Sequence, residues 1–550
     1  MTRPIRYTQE MMAEYLSKGY WETTTWPEVW DRNARDFPDR EPLADSRMRL
    51  TWLEAKKLIG RLAIGLLHMG FKRDDVLALQ LPNSVEVCLL RIACEKAGIL
   101  CLPVLPVLRQ RELEYILKTV EATGVVIPRE YRKFDHFQMV REMRPRLPNL
   151  KHVFITGDQV PEGTISVAQM LAHPWETEYP PDYLVGKGVP STEVSWISHT
   201  SGSTGFIKFV EIAASARMNL CRAFLKAWNI TGDDIVAALS PHTGGPNIIS
   251  YWSAALVGAK LVLMETFEAE AALQLLEKEK VTAFGFVPTL LTLMLNHPNF
   301  SRYDLSSVRL WVCAGGAPPY DLATRIEREI GGRVVQIYGA VDWGAGVCSW
   351  LDSPQEERLL TAGKPIPDHE IKFLDDNGHE VPPGEVGEIM LRGPAGVGGY
   401  YKNPEATWQV WTEDGWYKPG DLGRLDERGN VVLSGRKKDM IKRGGENIYP
   451  VEIESMLETH PLVHSVAIVK MPDPVMGEKA CACVVPQAGE EFSFEEMVSF
   501  LRSKGIAMFK LPERLETMQS LPLVAGVQKV DKKVLEKEIA AKLKAEGKYS

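Results

Sequence analysis

The sequence lacks the features that mark several large classes of protein. Its eight cysteines form no CxxC pair, so neither a zinc site nor a disulfide framework is indicated, and we expect buried, reduced thiols. The longest apolar run, residues 97–108, is too short to span a bilayer and contains Pro103 and Pro106. No apolar segment followed by a small-residue cleavage site stands near Met1. These absences predict a soluble cytoplasmic protein without a membrane span.

Charge and length exclude further classes. The formal net charge of −8 provides no basic surplus, which argues against non-specific binding to nucleic acid. The Gly-Lys-Ser/Thr ending of the P-loop pattern is absent. The 550 residues exceed the roughly 250–300 that one hydrophobic core supports, so at least two domains are expected.

The order of apolar runs predicts an α/β fold. Through the first 360 residues, short β-branched runs such as "ATGVVIP" and "VRLWVCAGG" end in Gly or Pro and alternate with helical patterns. This alternation indicates largely parallel sheets covered on both faces. Asn-Gly and Pro-Gly turns then indicate a small antiparallel unit with a hairpin at Arg428-Gly429. We predict a large N-terminal domain at 1–436 and a smaller, mobile α+β domain at 437–550.

One stretch, "SHTSGSTGFIKFVEI" at 198–212, has the composition of a phosphate-binding loop. Two glycines allow the backbone to approach an anion, while closely spaced N–H groups, hydroxyls and the Lys208 ammonium attract it. A Ser/Gly surface turn is the simpler alternative for this stretch taken alone. The residues in question are Thr200, Ser201, Gly202, Ser203, Thr204, Gly205 and Lys208.

Six further motifs follow in a fixed order, and together with this loop they identify a family. They are "GGAP" at 315–318, "YGAVD" at 338–342, "GEIMLRGP" at 387–394, "YKPGD" at 417–421, "GRKKDMIKRGGENIYPVEIE" at 435–454 and "LPLVAGVQKVDKK" at 521–533. The set resembles the adenylate-forming superfamily of acyl-CoA synthetases, aryl-acid adenylating enzymes and luciferases. The resemblance extends over nearly the whole chain.

The resemblance implies a two-step reaction with ATP, Mg²⁺ and CoA. A carboxylate attacks the α-phosphorus of ATP, and a thiol then displaces AMP. Two like charges about 4 Å apart repel by about 4 kcal/mol at an effective dielectric of about 20, so the first step needs positioned cations. Lys529 matches the family's catalytic lysine, Lys208 belongs to the phosphate loop, and Asp342 stands where the family has a magnesium-binding glutamate. Read alone, Lys529 lies in a charge run typical of a solvated surface.

The remaining roles are carried over by position. A nucleotide-binding set comprises the loop residues 200–205 with Gly315, Gly316, Ala317, Pro318, Tyr338, Gly339, Asp421 and Arg436. An acyl pocket comprises His242, Thr243, Gly244 and Val341. Lys438 matches the hinge about which the C-terminal domain rotates, and Gly444 and Gly445 match the CoA tunnel. Without the resemblance, His242 would be an ordinary core histidine and Asp421 a turn residue.

The acid and the acceptor stay open between alternatives. The opening of the chain, residues 15–45, is similar to that of 2,3-dihydroxybenzoate adenylating enzymes and of cyclohexanecarboxylate-CoA ligases. Thr243 replaces the asparagine of catechol-specific relatives, which favours a hydroxyl-free acid, cyclic or medium-chain, with CoA as acceptor. One alternative is an aryl-acid adenylating enzyme that loads a carrier protein. The other is a nucleotide-binding pseudoenzyme, suggested by departures at positions 207, 209, 341, 342 and 528. The sequence leaves the oligomeric state open.

Overall fold

The computed structural model describes residues 4–200, 207–243, 245–444, 446–524 and 530–548. The helices are α1 (Gln9–Ser17), α2 (Trp26–Asp36), α3 (Trp52–His68), α4 (Val85–Ala97), α5 (Gln110–Thr119), α6 (His136–Met143), α7 (Val167–Ala172), α8 (Ala214–Trp228), α9 (Ala254–Val257), α10 (Ala269–Lys278), α11 (Pro288–Leu295), α12 (Tyr320–Glu329), α13 (Gln355–Leu360), α14 (Pro404–Val410), α15 (Pro450–Leu457), α16 (Phe494–Ser503) and α17 (Lys532–Ala545). Within the described ranges, no helix has the length and apolar character that crossing a lipid bilayer requires.

The strands are β1 (Leu43–Ala44), β2 (Arg49–Leu50), β3 (Val76–Leu79), β4 (Leu100–Pro103), β5 (Gly124–Pro128), β6 (Glu130–Tyr131), β7 (Phe134–Asp135), β8 (His152–Thr156), β9 (Ile165–Ser166), β10 (Val194–His199), β11 (Phe209–Ala213), β12 (Ile235–Ala238), β13 (Lys260–Leu263), β14 (Ala283–Phe286), β15 (Leu310–Ala314), β16 (Arg333–Ala340), β17 (Gly344–Cys348), β18 (Lys364–Pro365), β19 (Glu370–Leu374), β20 (Gly387–Arg392), β21 (Asp421–Leu425), β22 (Val431–Arg436), β23 (Ile441–Arg443), β24 (Glu446–Ile448), β25 (Val463–Asp473), β26 (Gly477–Pro486) and β27 (Arg514–Thr517).

The chain divides into two compact units. Unit 1 consists of residues 1–370 and 391–417, and unit 2 of residues 371–390 and 418–550. Most of the four-stranded antiparallel sheet β19–β22, which precedes residue 437, therefore groups with the C-terminal residues. The predicted boundary between 436 and 437 concerns which part rotates during a reaction, and it stays a prediction.

Two sheets of mainly parallel strands form the framework of unit 1. Nine strands follow the order β18-β17-β16-β15-β14-β12-β13-β1-β2, and seven follow the order β11-β10-β4-β3-β5-β8-β9. The neighbours from β16 to β1 pair in parallel, as do those from β10 to β9. Antiparallel strands lie only at the edges of these described sheets. The predicted parallel-rich α/β architecture is confirmed.

Burial explains why the strands of unit 1 are continuous apolar runs in the sequence. Strands β5, β14 and β15 are buried along their whole length, because helices cover both faces of a parallel sheet. Helix α3, which packs on α4, begins with a capping box in which Thr51 and Glu54 each accept a hydrogen bond from the other's backbone N–H. All eight cysteines are buried and free, as the sequence predicts.

Unit 2 contains two further sheets, both dominated by antiparallel pairs. Four strands follow the order β19-β20-β21-β22, and β21 and β22 form the predicted hairpin. Gly429 has φ of +78° in its turn, a conformation that glycine adopts without strain. The second sheet has the order β24-β23-β26-β25, with β27 parallel to β26. The predicted antiparallel unit and α+β C-terminal part are confirmed.

Candidate active site

Both ends of the predicted phosphate loop are held together by hydrogen bonds. The loop connects β10 to β11, which pair antiparallel at the edge of the seven-stranded sheet. The Thr200 N–H donates to the Lys208 carbonyl at 2.9 Å, and the Lys208 N–H donates to Thr200 Oγ1 at 3.1 Å. Five of the predicted phosphate-binding residues lie outside the described residues: Ser201, Gly202, Ser203, Thr204 and Gly205. Their role stays a prediction, but the two ends place Thr200 and Lys208 side by side.

Lys208 and Asp342, distant in sequence, meet around one tyrosine. The Lys208 Nζ lies 4.5 Å from the centroid of the Tyr400 ring, within the range of a cation–π interaction. The Tyr400 hydroxyl donates to Asp342 Oδ2 at 2.5 Å. Burial, followed by the nearby Asp342 carboxylate, raises the pKa of Tyr400 far above its ordinary value, so the phenol keeps its proton and donates. We call this group the Lys208–Tyr400–Asp342 cluster.

Asp342 occupies the turn between the last parallel strand and its antiparallel neighbour. Strands β16 and β17 form a hairpin whose register shifts between Tyr338 and Gly339. A Cβ on Gly339 would stand 2.2 Å from the Gly344 carbonyl oxygen, so only glycine allows the two strands to approach here. The tight hairpin therefore holds Val341 and Asp342 at the carboxyl end of β16, where ligands of parallel sheets bind.

The predicted adenine-contacting residues lie beside this hairpin. Residues 315–318 follow β15 directly, and β15 pairs in parallel with β16 up to the pair Ala314 and Ile337. Residues Gly315, Gly316 and Ala317 are exposed, while Tyr338 is half-buried. The carboxyl edge of the nine-stranded sheet thus brings together two segments that the sequence separates. Their contact with adenine stays a prediction.

His242 is buried and fixed in one tautomer. Its Nε2 lies 2.9 Å from the Leu81 carbonyl oxygen, which can only accept, so Nε2 carries the proton. Burial lowers the pKa of His242 to about 4, so the ring is neutral near pH 7 and Nδ1 is a hydrogen-bond acceptor. Within the described residues, Nδ1 has no hydrogen-bond partner. A buried imidazole with an open acceptor is compatible with the predicted gate.

Close packing positions the loop that carries His242. A Cβ on Gly285 of β14 would stand 2.1 Å from the Pro246 carbonyl oxygen, so the loop lies directly on the strand. On its other side, the Asn83 amide donates to the carbonyls of Ala238 and Ser240 at 3.2 and 2.8 Å. Thr243 is half-buried, and Gly244 lies outside the described residues.

Unit 2 brings the two predicted ribose-binding residues together. Asp421 and Arg436 are cross-strand neighbours in β21 and β22, and Arg436 Nε lies 3.0 Å from Asp421 Oδ1. Lys438 follows β22, and burial of its amine is the main cause that lowers its pKa. Gly444 has φ of +56°, and a Cβ there would stand 2.4 Å from the Met476 Cε. Gly445 and Lys529 lie outside the described residues, so their roles stay predictions.

The comparison with known families decides the membership of the chain. A family described as AMP-binding enzyme matches residues 30–401, and one described as AMP-binding enzyme C-terminal domain matches residues 452–526. The chain belongs to the AMP-binding enzymes. It is therefore an adenylate-forming ligase by family, as its motifs predict.

Individual AMP-binding enzymes resemble the chain over nearly its full length. A 2,3-dihydroxybenzoate-AMP ligase of Bacillus subtilis is 32% identical, covering 98% of this chain and 98% of that protein. A medium-chain fatty-acid–CoA ligase of Escherichia coli is 30% identical, covering 98% and 94%. The crystal structure of the anthranilate CoA ligase AuaEII with anthranoyl-AMP superposes with a TM-score of 0.84 at 24% identity, covering 95% and 98%, which shows the common fold.

Tyr400 is the residue of this AMP-binding enzyme that the sequence alone did not indicate as functional. It lies in "AGVGGYY" at 395–401, directly after the "GEIMLRGP" motif and outside all the family motifs. The available signal was a run of glycines next to an aromatic pair, because glycine in an extended segment often marks a close approach of another backbone. The partner of the tyrosine depends on tertiary structure.

Proposed function

We propose that the chain is an AMP-forming carboxylic acid–CoA ligase. The carboxylate of the acid attacks the α-phosphorus of ATP, the bond to the β-phosphate oxygen breaks, and acyl-adenylate and pyrophosphate result. The sulfur of CoA then attacks the acyl carbon, the bond to AMP breaks, and the thiol loses its proton. Neither step needs a nucleophile from the enzyme, in keeping with eight buried cysteines.

The Lys208–Tyr400–Asp342 cluster is the observation that carries this proposal. It presents a cation from the stem of a phosphate-type loop and a carboxylate from the carboxyl edge of a parallel sheet. A cation at the phosphates offsets the repulsion between the attacking carboxylate and ATP. We assign Lys208 to the phosphates, and Lys529 to the same charge compensation during adenylation.

Magnesium fits the carboxylate of Asp342. Among the described residues, no group of three or more His, Cys, Asp or Glu side chains converges as a metal cage. Mg²⁺ is commonly bound by one or two carboxylates together with substrate phosphates and water, so a single aspartate is sufficient. The ion would neutralise charge on the phosphates of ATP. Asp342 would hold it, and Tyr400 would orient Asp342.

For the acid, we propose a cyclic or medium-chain carboxylic acid. Thr243 provides no amide for a ring hydroxyl, and the resembling proteins act on an aryl acid in one case and on medium-chain fatty acids in another. A second candidate acceptor is the phosphopantetheine of a carrier protein. It is favoured by the 32% identity to a 2,3-dihydroxybenzoate-AMP ligase, a protein named for the acyl-adenylate and not for a CoA thioester.

An exchange assay tests adenylation without knowledge of the acceptor. Labelled pyrophosphate should enter ATP only when a suitable acid is present, and the panel should include octanoate, cyclohexanecarboxylate, benzoate and 2,3-dihydroxybenzoate. Lys208→Ala should lower the exchange rate by about 100-fold or more, as expected for a group that stabilises transition-state charge. A chain that binds ATP but exchanges no pyrophosphate with any acid would refute the proposal.

Thioester formation then distinguishes the two acceptors. With an acid that supports exchange, AMP release that depends on free CoA supports the CoA ligase. Exchange without thioester formation, with AMP release that depends on a phosphopantetheinylated carrier protein, would instead assign the second candidate.

A further inference from the structure

The segment that carries Tyr400 is held from two sides within unit 1. On one side it extends the seven-stranded sheet beyond β11: the Gly398 N–H donates to the Glu211 carbonyl at 2.8 Å, and the Glu211 N–H donates to the Gly399 carbonyl at 2.9 Å. The Tyr401 N–H donates to the Phe209 carbonyl at 2.7 Å. Since β11 begins one residue after Lys208, this pairing fixes the distance between Lys208 and Tyr400.

On the other side, the N-terminal segment, residues 4–7, lies against the same backbone. The Arg6 N–H donates to the Gly398 carbonyl at 2.8 Å, and Arg6 Nε donates to the Val397 carbonyl at 2.9 Å. The Tyr7 hydroxyl donates to the Gly396 carbonyl. Three consecutive carbonyls of the segment are thus bound by two residues from the other end of unit 1.

Glycine makes this approach possible. A Cβ on Gly398 would stand 2.6 Å from the Pro4 Cβ, and one on Gly396 would stand 2.9 Å from Arg6 Nη2. Separations under 3.0 Å do not occur for real Cβ atoms, so a side chain at position 398 would push Pro4 away, and one at position 396 would displace the Arg6 guanidinium. At Gly398 the absence of a side chain leaves room for the N-terminal segment, while Gly396 and Gly399 also leave room for Trp343 and Thr407.

Arg6 is almost completely buried, which a surface contact would not require. It is 2% exposed, and its guanidinium carbon lies 3.9 Å from the centroid of the Trp411 ring. A buried arginine is costly unless its charge is compensated, here by the Val397 carbonyl oxygen and the faces of the Tyr7 and Trp411 rings. Because guanidinium is rigid and planar, it fixes the Val397 carbonyl more firmly than an ammonium would.

We propose that Tyr400 is a positioning residue for adenylation, and that the N-terminal segment holds it where its hydroxyl orients Asp342 and its ring receives Lys208. The proposal rests on the proposed function, because it gives Asp342 and Lys208 their roles. The hydroxyl restricts a short carboxylate to one orientation before the metal–nucleotide complex arrives. The ring keeps the lysine at the loop stem instead of in solvent.

Metal binding measures this positioning directly. Mn²⁺ replaces Mg²⁺ in the presence of a non-hydrolysable α,β-methylene ATP analogue, and electron paramagnetic resonance reports the free Mn²⁺. Tyr400→Phe should weaken Mn²⁺ binding by about tenfold or more, the usual effect of removing a hydrogen bond to a metal-ligating group. Tyr401→Phe is the matched control, one residue further along, and should leave Mn²⁺ binding unchanged. Equal affinity of the Tyr400→Phe and unsubstituted chains would overturn the proposal.

Variants of Arg6 test whether the N-terminal segment holds Tyr400 in place. Arg6→Ala should weaken Mn²⁺ binding in the same direction as Tyr400→Phe, and Arg6→Lys tests the same contact if the alanine variant does not fold. Asn33→Ala is the control, because Asn33 is also buried near the N-terminus but donates to Ala255, away from the cluster. If the Arg6 and Asn33 variants affect Mn²⁺ binding equally, the segment has only a general structural role and this part is wrong.

The readouts separate this proposal from the proposed function. Loss of Mn²⁺ binding in Tyr400→Phe, in a chain that supports no acid-dependent exchange at all, would keep Tyr400 as a positioning residue for the metal and reject the ligase, and with it the role in adenylation. Acid-dependent exchange with Mn²⁺ binding unaltered in Tyr400→Phe would keep the ligase and reject the positioning role.

Discussion

Replacing Glu211 by glutamine should make the stability of this protein less sensitive to pH. Glu211 lies in the middle of β11, is 2% exposed, and accepts a hydrogen bond from the Ile5 N–H at 2.8 Å. Burial raises the pKa of its carboxyl from 4.5 to about 7, because the hydrogen bond from Ile5 lowers it by less than desolvation raises it. Glutamine keeps an oxygen that accepts from Ile5 and removes the titration.

The sign follows from proton binding in the two states. Between pH 4.5 and about 7 the folded chain keeps a proton on Glu211 that the unfolded chain has released. Folding stability therefore falls as the pH rises through this window, and the loss is complete above the folded pKa. The distance from 4.5 to about 7 corresponds to roughly 3 kcal/mol. Glu211→Gln should avoid most of this loss.

Urea unfolding of both chains at about pH 5 and about pH 8 measures the effect. The variant should be more stable than the unsubstituted chain at the higher pH, by up to roughly 3 kcal/mol, and the difference should be much smaller at the lower pH. Glu54→Gln is the control: hydrogen bonds from Thr51 lower the pKa of exposed Glu54, so its effect should be the same at both pH values. A Glu211→Gln difference that does not change between the two pH values would refute the reasoning.

Three further predictions concern packing and the two half-reactions. Gly285→Ala should destabilise the chain by about 1–3 kcal/mol, because the new Cβ would overlap the Pro246 carbonyl oxygen, and a thermal unfolding scan at constant pH would show the lower midpoint. Lys529→Ala should abolish acid-dependent pyrophosphate exchange but largely spare thioester formation from supplied acyl-adenylate; equal loss of both would contradict its assignment. Lys438→Pro should show the reverse, because proline restricts the backbone torsion that a hinge must change, and unimpaired thioester formation would contradict the hinge.

Much of the architecture was predictable from local patterns. Apolar runs that end in glycine or proline predicted the parallel strands, and the Arg428-Gly429 turn predicted the hairpin of β21 and β22. The ordered motifs predicted the family. The local pattern also placed Asp342 after a strand, but it did not predict that β17 follows and pairs antiparallel with β16.

Contacts between residues that are distant in the chain could not be predicted from the sequence. Nothing local to "AGVGGYY" indicates that Tyr400 donates to Asp342, or that Arg6 binds the carbonyls beside it. The grouping of residues 371–390 with the C-terminal part is likewise a result of packing, since the predicted boundary followed motif positions instead.

By itself, the order of residues determined where the parallel strands form, where the β21–β22 hairpin turns, and which chemical groups the motifs contribute. These properties depend on a few neighbouring residues, on torsional freedom and on burial periodicity, so a linear reading captures them. Only the tertiary structure decided that Lys208, Tyr400 and Asp342 meet, and that residues from the start of the chain support the meeting. Such contacts arise when distant backbones pair and pack, and a single sequence carries no direct record of which backbone lies beside which.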